Sequence, residues 1–136
     1  MHIIENPPVK RLMPLQEMLE RERAPGIVDI WVCVKPYYLA IEHDGDIVGV
    51  ASISMGEDVA EIYKIYVLPN HRRSGFGKAL FGETLNRLFN SGISEILVET
   101  ASAEGFALVK SSASNFQLVE YGPDKYGIQL NVRTDT

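Results

Sequence analysis

Residues 65–89, IYVLPNHRRSGFGKALFGETLNRLF, join a β-rich apolar run to a helical pattern through a basic, glycine-containing turn. The apolar run stops at Pro69, which cannot donate a strand hydrogen bond. Two arginines, Arg72 and Arg73, follow, and the tripeptide 75–77 supplies two glycines just before the helix. The first turn of a helix carries unpaired N–H groups and partial positive charge, and glycine lets an anion approach them closely. The turn is therefore predicted to bind an anion such as phosphate or pyrophosphate.

Two familiar phosphate-binding motifs do not fit this turn. A Walker loop needs a glycine five residues before Gly77, where Arg72 stands. It also needs Ser or Thr after its lysine, where this chain has Ala79. A dinucleotide fingerprint needs a third glycine at the position of Leu80. From the turn alone, an ordinary strand-to-helix connection with solvated arginines stays open as the alternative.

The patterns around the turn predict a single α/β domain over residues 1–136. The strand at 59–68, the helix at 75–90 and the strand at 93–100 form a β-α-β unit, whose two strands are expected to be parallel. Flanking helices and antiparallel hairpins extend this unit into a mixed, mostly antiparallel sheet. The flanking elements are predicted as a helix at 14–23, a hairpin at 37–54 around Asp44-Gly45, a helix at 102–113 and a hairpin at 116–132.

Three local predictions concern the N-terminal third of the chain. Pro14 is expected in the first turn of the first helix, which should end at Pro25-Gly26. Residues 27–35 are compatible with either a short helix or a strand, and they are apolar enough to be buried in either case. Cys33, the single cysteine, is therefore expected in the core, and it excludes an intrachain disulfide or a cysteine metal cluster.

Composition excludes several classes of protein. Apolar residues make up 46% of the chain and charged residues 23%, which is typical of a globular protein. A net charge of −5 argues against nucleic-acid binding and favours a cationic partner weakly. The chain begins without a signal-peptide pattern and has no apolar run long enough to span a membrane, so a cytoplasmic location without membrane contact is expected. Its three histidines show no metal-ligand spacing.

The turn resembles the coenzyme-A loop of the GNAT superfamily of N-acetyltransferases. That loop reads Arg/Gln-x-x-Gly-x-Gly/Ala and follows a strand that ends in Val-x-Pro. Arg72, Gly75 and Gly77 match the loop positions. Val67 and Pro69 match the end of the strand. The predicted order of elements also follows the family over most of the chain.

The resemblance implies acetyl-CoA as the acyl donor and no metal. Backbone N–H groups from Arg73 to Lys78 would hold the pyrophosphate of coenzyme A. The strand ending at Val67 would diverge from the strand at 93–100 and leave a gap for the pantetheine arm. In the family, a bulge in the first of these strands aims a backbone N–H at the thioester carbonyl. The residues expected to bind coenzyme A are Ile65, Tyr66, Val67, Arg72, Arg73, Ser74, Gly75, Phe76, Gly77 and Lys78.

Acetyl transfer to an amine requires a base, since a lysine-like amine has a pKa of about 10.4. Glu61, on the strand before the loop, resembles the catalytic glutamate of the histone-type branch of the family. Glu99, on the neighbouring strand, is the second candidate, and a solvated glutamate is the alternative in both cases. The family's usual acid is a tyrosine in the later helix, where this chain has Ser111. Tyr121 or Tyr126 in the final hairpin is the candidate replacement, although packing in the sheet is the commoner role of such a tyrosine.

The acceptor is expected near the N-terminal half of the domain. The family builds acceptor sites from this region, so Trp31, Tyr37 and Tyr38 are candidate substrate-binding residues. The sequence thus predicts an N-acetyltransferase that acts on a primary amine, either a small amine or the lysine or N-terminus of a peptide or protein. A non-catalytic acyl-CoA-binding domain on the same fold is the alternative, and pairing of two copies through the last hairpin is a further hypothesis.

Overall fold

The hairpin predicted around Asp44-Gly45 forms as expected in the computed structural model, which describes residues 2–22, 29–100, 103–112 and 116–130. Strand β2 spans Pro36–His43 and strand β3 spans Asp46–Met55. Asp44 has φ +53° and Gly45 has φ +86°. Two consecutive residues with positive φ form the turn whose twist matches that of a two-residue hairpin.

Seven strands form one mixed sheet, in the order β1-β2-β3-β4-β5-β7-β6. Only β4 and β5 pair in parallel among the described strands, and the other neighbours are antiparallel. The predicted α/β class, with a mostly antiparallel sheet and a central parallel unit, is therefore confirmed. The remaining elements are β1 (His2–Glu5), α1 (Val9–Glu22), β4 (Val59–Val67), α2 (Phe76–Asn90), β5 (Glu95–Glu99), α3 (Ala103–Ser112), β6 (Phe116–Gly122) and β7 (Lys125–Leu130).

The helices cover the two faces of the sheet with separate apolar clusters. On one face, α2 buries Leu80, Phe81 and Leu85 against the strands, within a cluster that continues to Val109 of α3. On the other face, α1 buries a row of leucines at helical spacing, Leu12, Leu15 and Leu19. Helix α1 covers only one part of the sheet. Among the described strands, only β2, β3 and β4 contribute residues to its cluster.

The N-terminal region differs from the prediction in two respects. Strand β1 was not predicted, and it pairs antiparallel with β2 at the edge of the sheet. Helix α1 begins at Val9 rather than near Pro14, because the Arg11 N–H donates to the Pro8 carbonyl and starts the helix earlier. Pro14 consequently lies inside the helix instead of in its first turn. The predicted helix end at Pro25-Gly26 lies outside the described residues.

The prediction that residues 27–35 are buried is wrong over most of its described part. Residues 29–35 form neither a helix nor a strand. Ile30 alone among them is fully buried, and its N–H donates to Gln16 Oε1 at 2.8 Å. Cys33 and Val34 are exposed, so the expected core position of the cysteine is also wrong. Ile30 thus attaches this irregular segment to α1 through one buried side chain and one hydrogen bond.

The other predicted elements are confirmed within a few residues. The β6–β7 hairpin turns at residues 123–124, and the predicted residues 131–132 of its second strand lie outside the described residues. No helix of the described chain has the length and apolar character needed to cross a bilayer.

Candidate active site

A bulge divides strand β4 into two halves. Ile53 of β3 pairs with Ile62, whereas the preceding Ser52 pairs with Lys64, so Tyr63 is the extra residue. The bulge changes which side chains of β4 point to each face of the sheet. Ile62, before the bulge, packs in the α2 cluster, whereas Tyr66, an even number of residues later, packs in the α1 cluster. Bulges re-aim side chains and backbone groups in this way, and no residue pattern in the sequence indicates this one.

A gap opens between β4 and β5 at the same level. The parallel ladder joins Val59–Ile62 to Glu95–Val98 and ends there. Strand β4 continues to Val67, paired with β3 through Gly49. The backbone groups that β4 presents on its other edge beyond Ile62 thus have no ladder partner among the described strands. The resemblance implies that the two strands diverge at this point.

The glycine-arginine turn leads from β4 into α2. A short 3₁₀ turn, Pro69–His71, follows the strand. Arg73 has φ +63° and Gly75, the N-cap of α2, has φ +84°. The first helical hydrogen bond runs from Ala79 N–H to the Gly75 carbonyl. Among the described residues, none accepts a hydrogen bond from the six N–H groups of residues 73–78, which lie at the positive end of α2.

The side chains of the turn divide into exposed and packed groups. Ser74 and Lys78 are exposed, as is Arg73. Phe76 packs against the core, and its ring lies 5.2 Å from that of His43. A Cβ on Gly77 would lie 3.8 Å from Val67, which is ordinary contact. Backbone N–H groups and the exposed cations, rather than the Phe76 ring, are therefore the groups available to an anion.

Arg72 does not point its side chain into the open turn. Its Nε donates to the Val67 carbonyl at 2.9 Å, and its Nη2 donates to both carboxylate oxygens of Glu22, at 2.7 and 2.9 Å. Its guanidinium carbon lies 5.4 Å from the centre of the Tyr66 ring. The predicted cofactor residues Tyr66 and Arg72 thus contact each other, and both contact Glu22, which the sequence analysis did not identify.

Tyr66 lies under this contact and is almost completely buried, at 4% exposure. Its hydroxyl donates to Glu22 Oε1 at 3.0 Å. Burial, followed by the hydrogen bond and charge of Glu22, raises the pKa of Tyr66 to about 12. Ile65 packs on the opposite side of the strand, against the α2 cluster. The Tyr66 side chain is therefore a structural support of the strand.

The three predicted catalytic residues lie around one pocket. Glu61, Glu99 and Tyr121 line a space of about 460 Å³ on the sheet face that carries α1. Glu95, Leu97, Val98, Lys125 and Tyr126 complete the lining. Both Glu61 and Glu99 are exposed. The pocket lies beside the end of the β4–β5 ladder, since Glu61 pairs with Leu97 and Ile62 with Val98.

Tyr121 is held at the far end of the pocket from the gap. Its hydroxyl donates to Glu95, whose Oε2 also accepts from Gln129 Nε2 at 2.8 Å. The hydrogen bond to Glu95 raises the pKa of Tyr121, which makes the phenol a weaker acid. Glu95 stands at the start of β5, whereas the ladder ends at Val98. The structure therefore brings Tyr121 into the predicted pocket but directs its hydroxyl away from the gap.

Two other hydroxyl groups, those of Ser111 and Tyr126, bear on the missing acid. Ser111 is exposed, and its Oγ donates to the Leu108 carbonyl at 3.1 Å. Tyr126 pairs with Val98, the last residue of the ladder, and its ring lies 5.6 Å from that of Phe106 on α3. Burial raises the pKa of Tyr126. Of the two, Tyr126 stands beside the residue at which the gap opens.

The three predicted acceptor residues do not come together. Trp31 and Tyr38 form an edge-to-face pair, 6.2 Å between ring centres, at the α1 cluster, and the Tyr38 hydroxyl accepts from Val32 N–H. Tyr37 lies on the opposite face, against the α2 cluster. The pKa of Tyr37 is raised by burial and by Glu5. Since Glu61 shares the α1 side of the sheet, only Trp31 and Tyr38 lie on the same face as the pocket.

Within residues 2–22, 29–100, 103–112 and 116–130, no group of three or more histidine, cysteine, aspartate or glutamate side chains is positioned to bind a metal ion.

Comparison with known families identifies the class of protein. Residues 10–108 match the Acetyltransferase (GNAT) family. The match covers most of the chain, including β4, the turn and α2. The chain therefore belongs to the GNAT acetyltransferase family, and the predicted enzyme class, an acyltransferase, is confirmed. No curated protein matches the sequence.

Solved structures agree on the fold. A ribosomal-protein-S18-alanine N-acetyltransferase from Escherichia coli superposes with a TM-score of 0.71 at 16% identity, covering 99% of both chains. Tetrahymena GCN5 gives 0.75 at 11% identity with both chains fully covered. A GNAT family acetyltransferase from Brucella melitensis in complex with acetyl-CoA gives 0.70 at 16% identity, covering 97% of this chain and 88% of the other. At such low identity these likenesses establish the fold alone.

Proposed function

We propose that this protein transfers the acetyl group of acetyl-CoA to a primary amine by direct attack. The observation that carries the proposal is the combination of the gap beyond Ile62 with the six donor N–H groups of residues 73–78. The N–H groups suit the pyrophosphate, and the gap suits an extended pantetheine arm that pairs with the β4 backbone at 65–67. The Brucella melitensis relative, whose structure contains acetyl-CoA, supports this donor.

The chemistry needs few protein groups. The neutral amine attacks the thioester carbonyl carbon, the C–S bond breaks, and the coenzyme-A thiolate leaves. Glu61 or Glu99, directly or through water, accepts the proton that the amine loses. A backbone N–H of β4 at the Tyr63 bulge stabilises the oxyanion of the tetrahedral intermediate. Because a thiol has a pKa of about 8.5, the thiolate leaves at modest cost without a dedicated acid.

The acceptor is a cationic amine in this proposal. Three carboxylates, Glu61, Glu95 and Glu99, and one lysine, Lys125, line the pocket. This balance favours a positively charged small amine, or a lysine or N-terminus of a peptide or protein. The open pocket accommodates either kind, so an acceptor panel has to include both.

The decisive test measures coenzyme-A release from acetyl-CoA with a panel of amines, basic peptides and lysine-containing proteins. Glu61→Gln is expected to lower kcat by about 100-fold, the usual contribution of a general base, while calorimetry gives coenzyme-A affinity within about twofold of the wild type. Glu57→Gln, an equivalent charge change in the exposed β3–β4 turn, is the matched control. Loss of activity in Glu99→Gln but not in Glu61→Gln would assign the base to Glu99. Failure of the wild type to bind coenzyme A would refute the proposal.

A non-catalytic acyl-CoA-binding domain is the second candidate, and one observation favours it. Tyr121, a predicted acid, donates its hydroxyl to Glu95, and Ser111, which stands where the family has its tyrosine, donates to the Leu108 carbonyl, so neither hydroxyl offers a proton toward the gap. Tight coenzyme-A binding, with no turnover of any acceptor and no effect of Glu61→Gln or Glu99→Gln, would favour the non-catalytic binding domain over the enzyme.

A homodimer formed through the last hairpin also stays a proposal. Strand β6 lies at an edge of the sheet, where its outer backbone groups can pair with another strand. A single monomeric species in sedimentation equilibrium at micromolar concentration would exclude it.

A further inference from the structure

Glu22, Tyr66 and Arg72 form a three-residue network, here called the Glu22 clamp, at the junction of α1, β4 and the coenzyme-A turn. Glu22 accepts hydrogen bonds from the Tyr66 hydroxyl and from Arg72 Nη2. Arg72 also donates to the Val67 carbonyl through Nε. One arginine thereby joins Glu22 of α1 to the end of β4.

The Glu22 carboxylate is partly removed from water. Its side chain is only 22% exposed, so the charged group is partly desolvated. The two hydrogen bonds from Arg72 and the one from Tyr66 offset this desolvation. An exposed ion pair would contribute little, but a partly buried carboxylate with three charge-assisted bonds is held in one position.

The clamp lies immediately before the donor N–H groups. Arg72 is followed directly by Arg73 at φ +63°, a conformation that non-glycine residues adopt at a cost. A strained turn of this kind keeps its shape only when its ends are fixed. The hydrogen bond from Ala79 N–H to the Gly75 carbonyl fixes the end of the turn at α2. Arg72 fixes the other end through its hydrogen bonds to the Val67 carbonyl and to Glu22.

The charge of Glu22 separates two roles for Arg72. If the Arg72 guanidinium bound the pyrophosphate directly, Glu22 would compete for it and would also repel the anion, so its removal would strengthen coenzyme-A binding. If Arg72 instead fixes the turn, removal of Glu22 would weaken binding although a negative charge is lost. The two roles therefore predict effects of opposite sign.

We propose that Glu22 and Tyr66 are positioning residues that hold Arg72 against the end of β4, so that the N–H groups of residues 73–78 converge on the pyrophosphate of coenzyme A. This inference rests on the proposed function. It assigns the direct contacts to the backbone and to the exposed Arg73 and Lys78, and it gives Arg72 an indirect role.

The test compares Glu22→Ala, Arg72→Ala and the double variant by calorimetric titration with coenzyme A. Each single variant is expected to bind about fivefold to tenfold more weakly, and the double variant no more weakly than Arg72→Ala, since both act as one unit. With acetyl-CoA and an active acceptor, KM for acetyl-CoA rises while kcat stays within about twofold. Glu17→Ala, an exposed position on the same helix, is the matched control. Unchanged or tighter binding by Glu22→Ala would overturn the proposal.

Two measurements on the protein without coenzyme A test the clamp independently of the proposed function. The amides of His71, Arg72 and Ala79 are hydrogen-bonded on either side of the unpaired N–H groups, and their hydrogen exchange is expected to accelerate in Glu22→Ala and not in Glu17→Ala. In a spectrophotometric titration, the Tyr66 phenol, with its pKa of about 12, titrates at lower pH in Glu22→Ala, because the Glu22 hydrogen bond and charge that raise it are removed. The titration step that is absent in Tyr66→Phe is assigned to the Tyr66 phenol.

These arms distinguish the possible failures. If the wild type does not bind coenzyme A, the proposed function fails, and the cofactor role of the clamp fails with it. If the wild type binds coenzyme A but the exchange of the His71, Arg72 and Ala79 amides is the same in Glu22→Ala, the clamp alone is refuted.

Discussion

Two glycines have opposite effects on stability because their surroundings differ. A Cβ on Gly56, in the β3–β4 turn, would overlap the backbone carbonyl oxygen of Val59. Gly82, within α2, has no atom within 4 Å of the position of a Cβ. Gly56→Ala is expected to lower the free energy of unfolding by about 2 kcal/mol through a backbone shift. Gly82→Ala is expected to raise it by about 0.5–1 kcal/mol, since alanine favours the helix.

Chemical denaturation of both variants beside the wild type checks this pair of predictions. Because both substitutions add one methyl group, each serves as the control for the other. Equal changes in the midpoint would show that the close approach of Gly56 to Val59 does not limit that turn.

At the level of single residues, the sequence predicts what is encoded locally. The spacing of Arg72, Gly75 and Gly77 lies within six residues, so the turn and the helix start could be predicted from it. The partner of Arg72 is fifty positions away, in a run of charges that resembles any solvated helix face. Tyr121 similarly acquires Glu95 only when the sheet forms. Candidate residues were thus predictable, whereas the atoms they contact depend on tertiary structure.

At the level of elements, Pro14 lies inside α1, where the local preference of proline opposes the helix and tertiary packing favours it. Proline inside a helix removes one backbone hydrogen bond and crowds the carbonyl four residues earlier. Helix α1 nevertheless extends across it, because Leu12, Leu15 and Leu19 are buried on the sheet on both sides of the proline. Pro14 itself is exposed. The burial of these leucines outweighs the local cost of the proline.

Pro14→Ala is therefore expected to stabilise the protein. Restoring the N–H and removing the ring clash should raise the free energy of unfolding by about 1 kcal/mol or more, less the entropy that proline removes from the unfolded chain. Thermal unfolding measures the change, with Pro8→Ala, just before the helix, as the control. A lower melting temperature for Pro14→Ala would indicate that the proline sets a bend that α1 needs in order to pack.

Long periodic elements were predictable and short ones were not. Helix α2 and strands β2 to β5 show clear period and turn signals, and their predicted positions agree with the structure within a few residues. Strand β1 has four residues and no alternating pattern of sufficient length. Residues 29–35 are apolar without being regular, so composition alone gave the wrong burial for Cys33.

At the level of the whole molecule, the proposed function predicts that coenzyme A fills the gap between β4 and β5. Coenzyme A should protect the amides that β4 presents to the gap in 63–67, and those of 73–78, from hydrogen exchange. Amides of residues 59–62, which already belong to the β4–β5 ladder, should change little. Exchange followed by mass spectrometry with and without coenzyme A measures this, and ATP at equal concentration is the control. Equal protection along all of β4 would contradict filling of the gap.

The sheet order was only partly predictable. Sequence order and the β-α-β unit give the parallel pair and the first hairpin. The Tyr63 bulge depends on how β3 and β4 align, which no local pattern specifies. The pocket combines residues of β4, β5 and the β6–β7 hairpin, so its composition followed only from the assembled sheet.

Strand β7 has a consequence for the order in which the protein is completed during synthesis. It is the last described strand in the chain, yet it lies inside the sheet, between β5 and β6. A nascent chain emerges N-terminus first, so the free edge of β5 stays uncovered until the β6–β7 hairpin has left the ribosome and docks on it as a unit. A chain halted before Lys125 would already contain the described helices and the glycine-arginine turn. It would lack Gln129 and the pocket-lining Lys125 and Tyr126, so the proposed donor site would be complete before the proposed acceptor site.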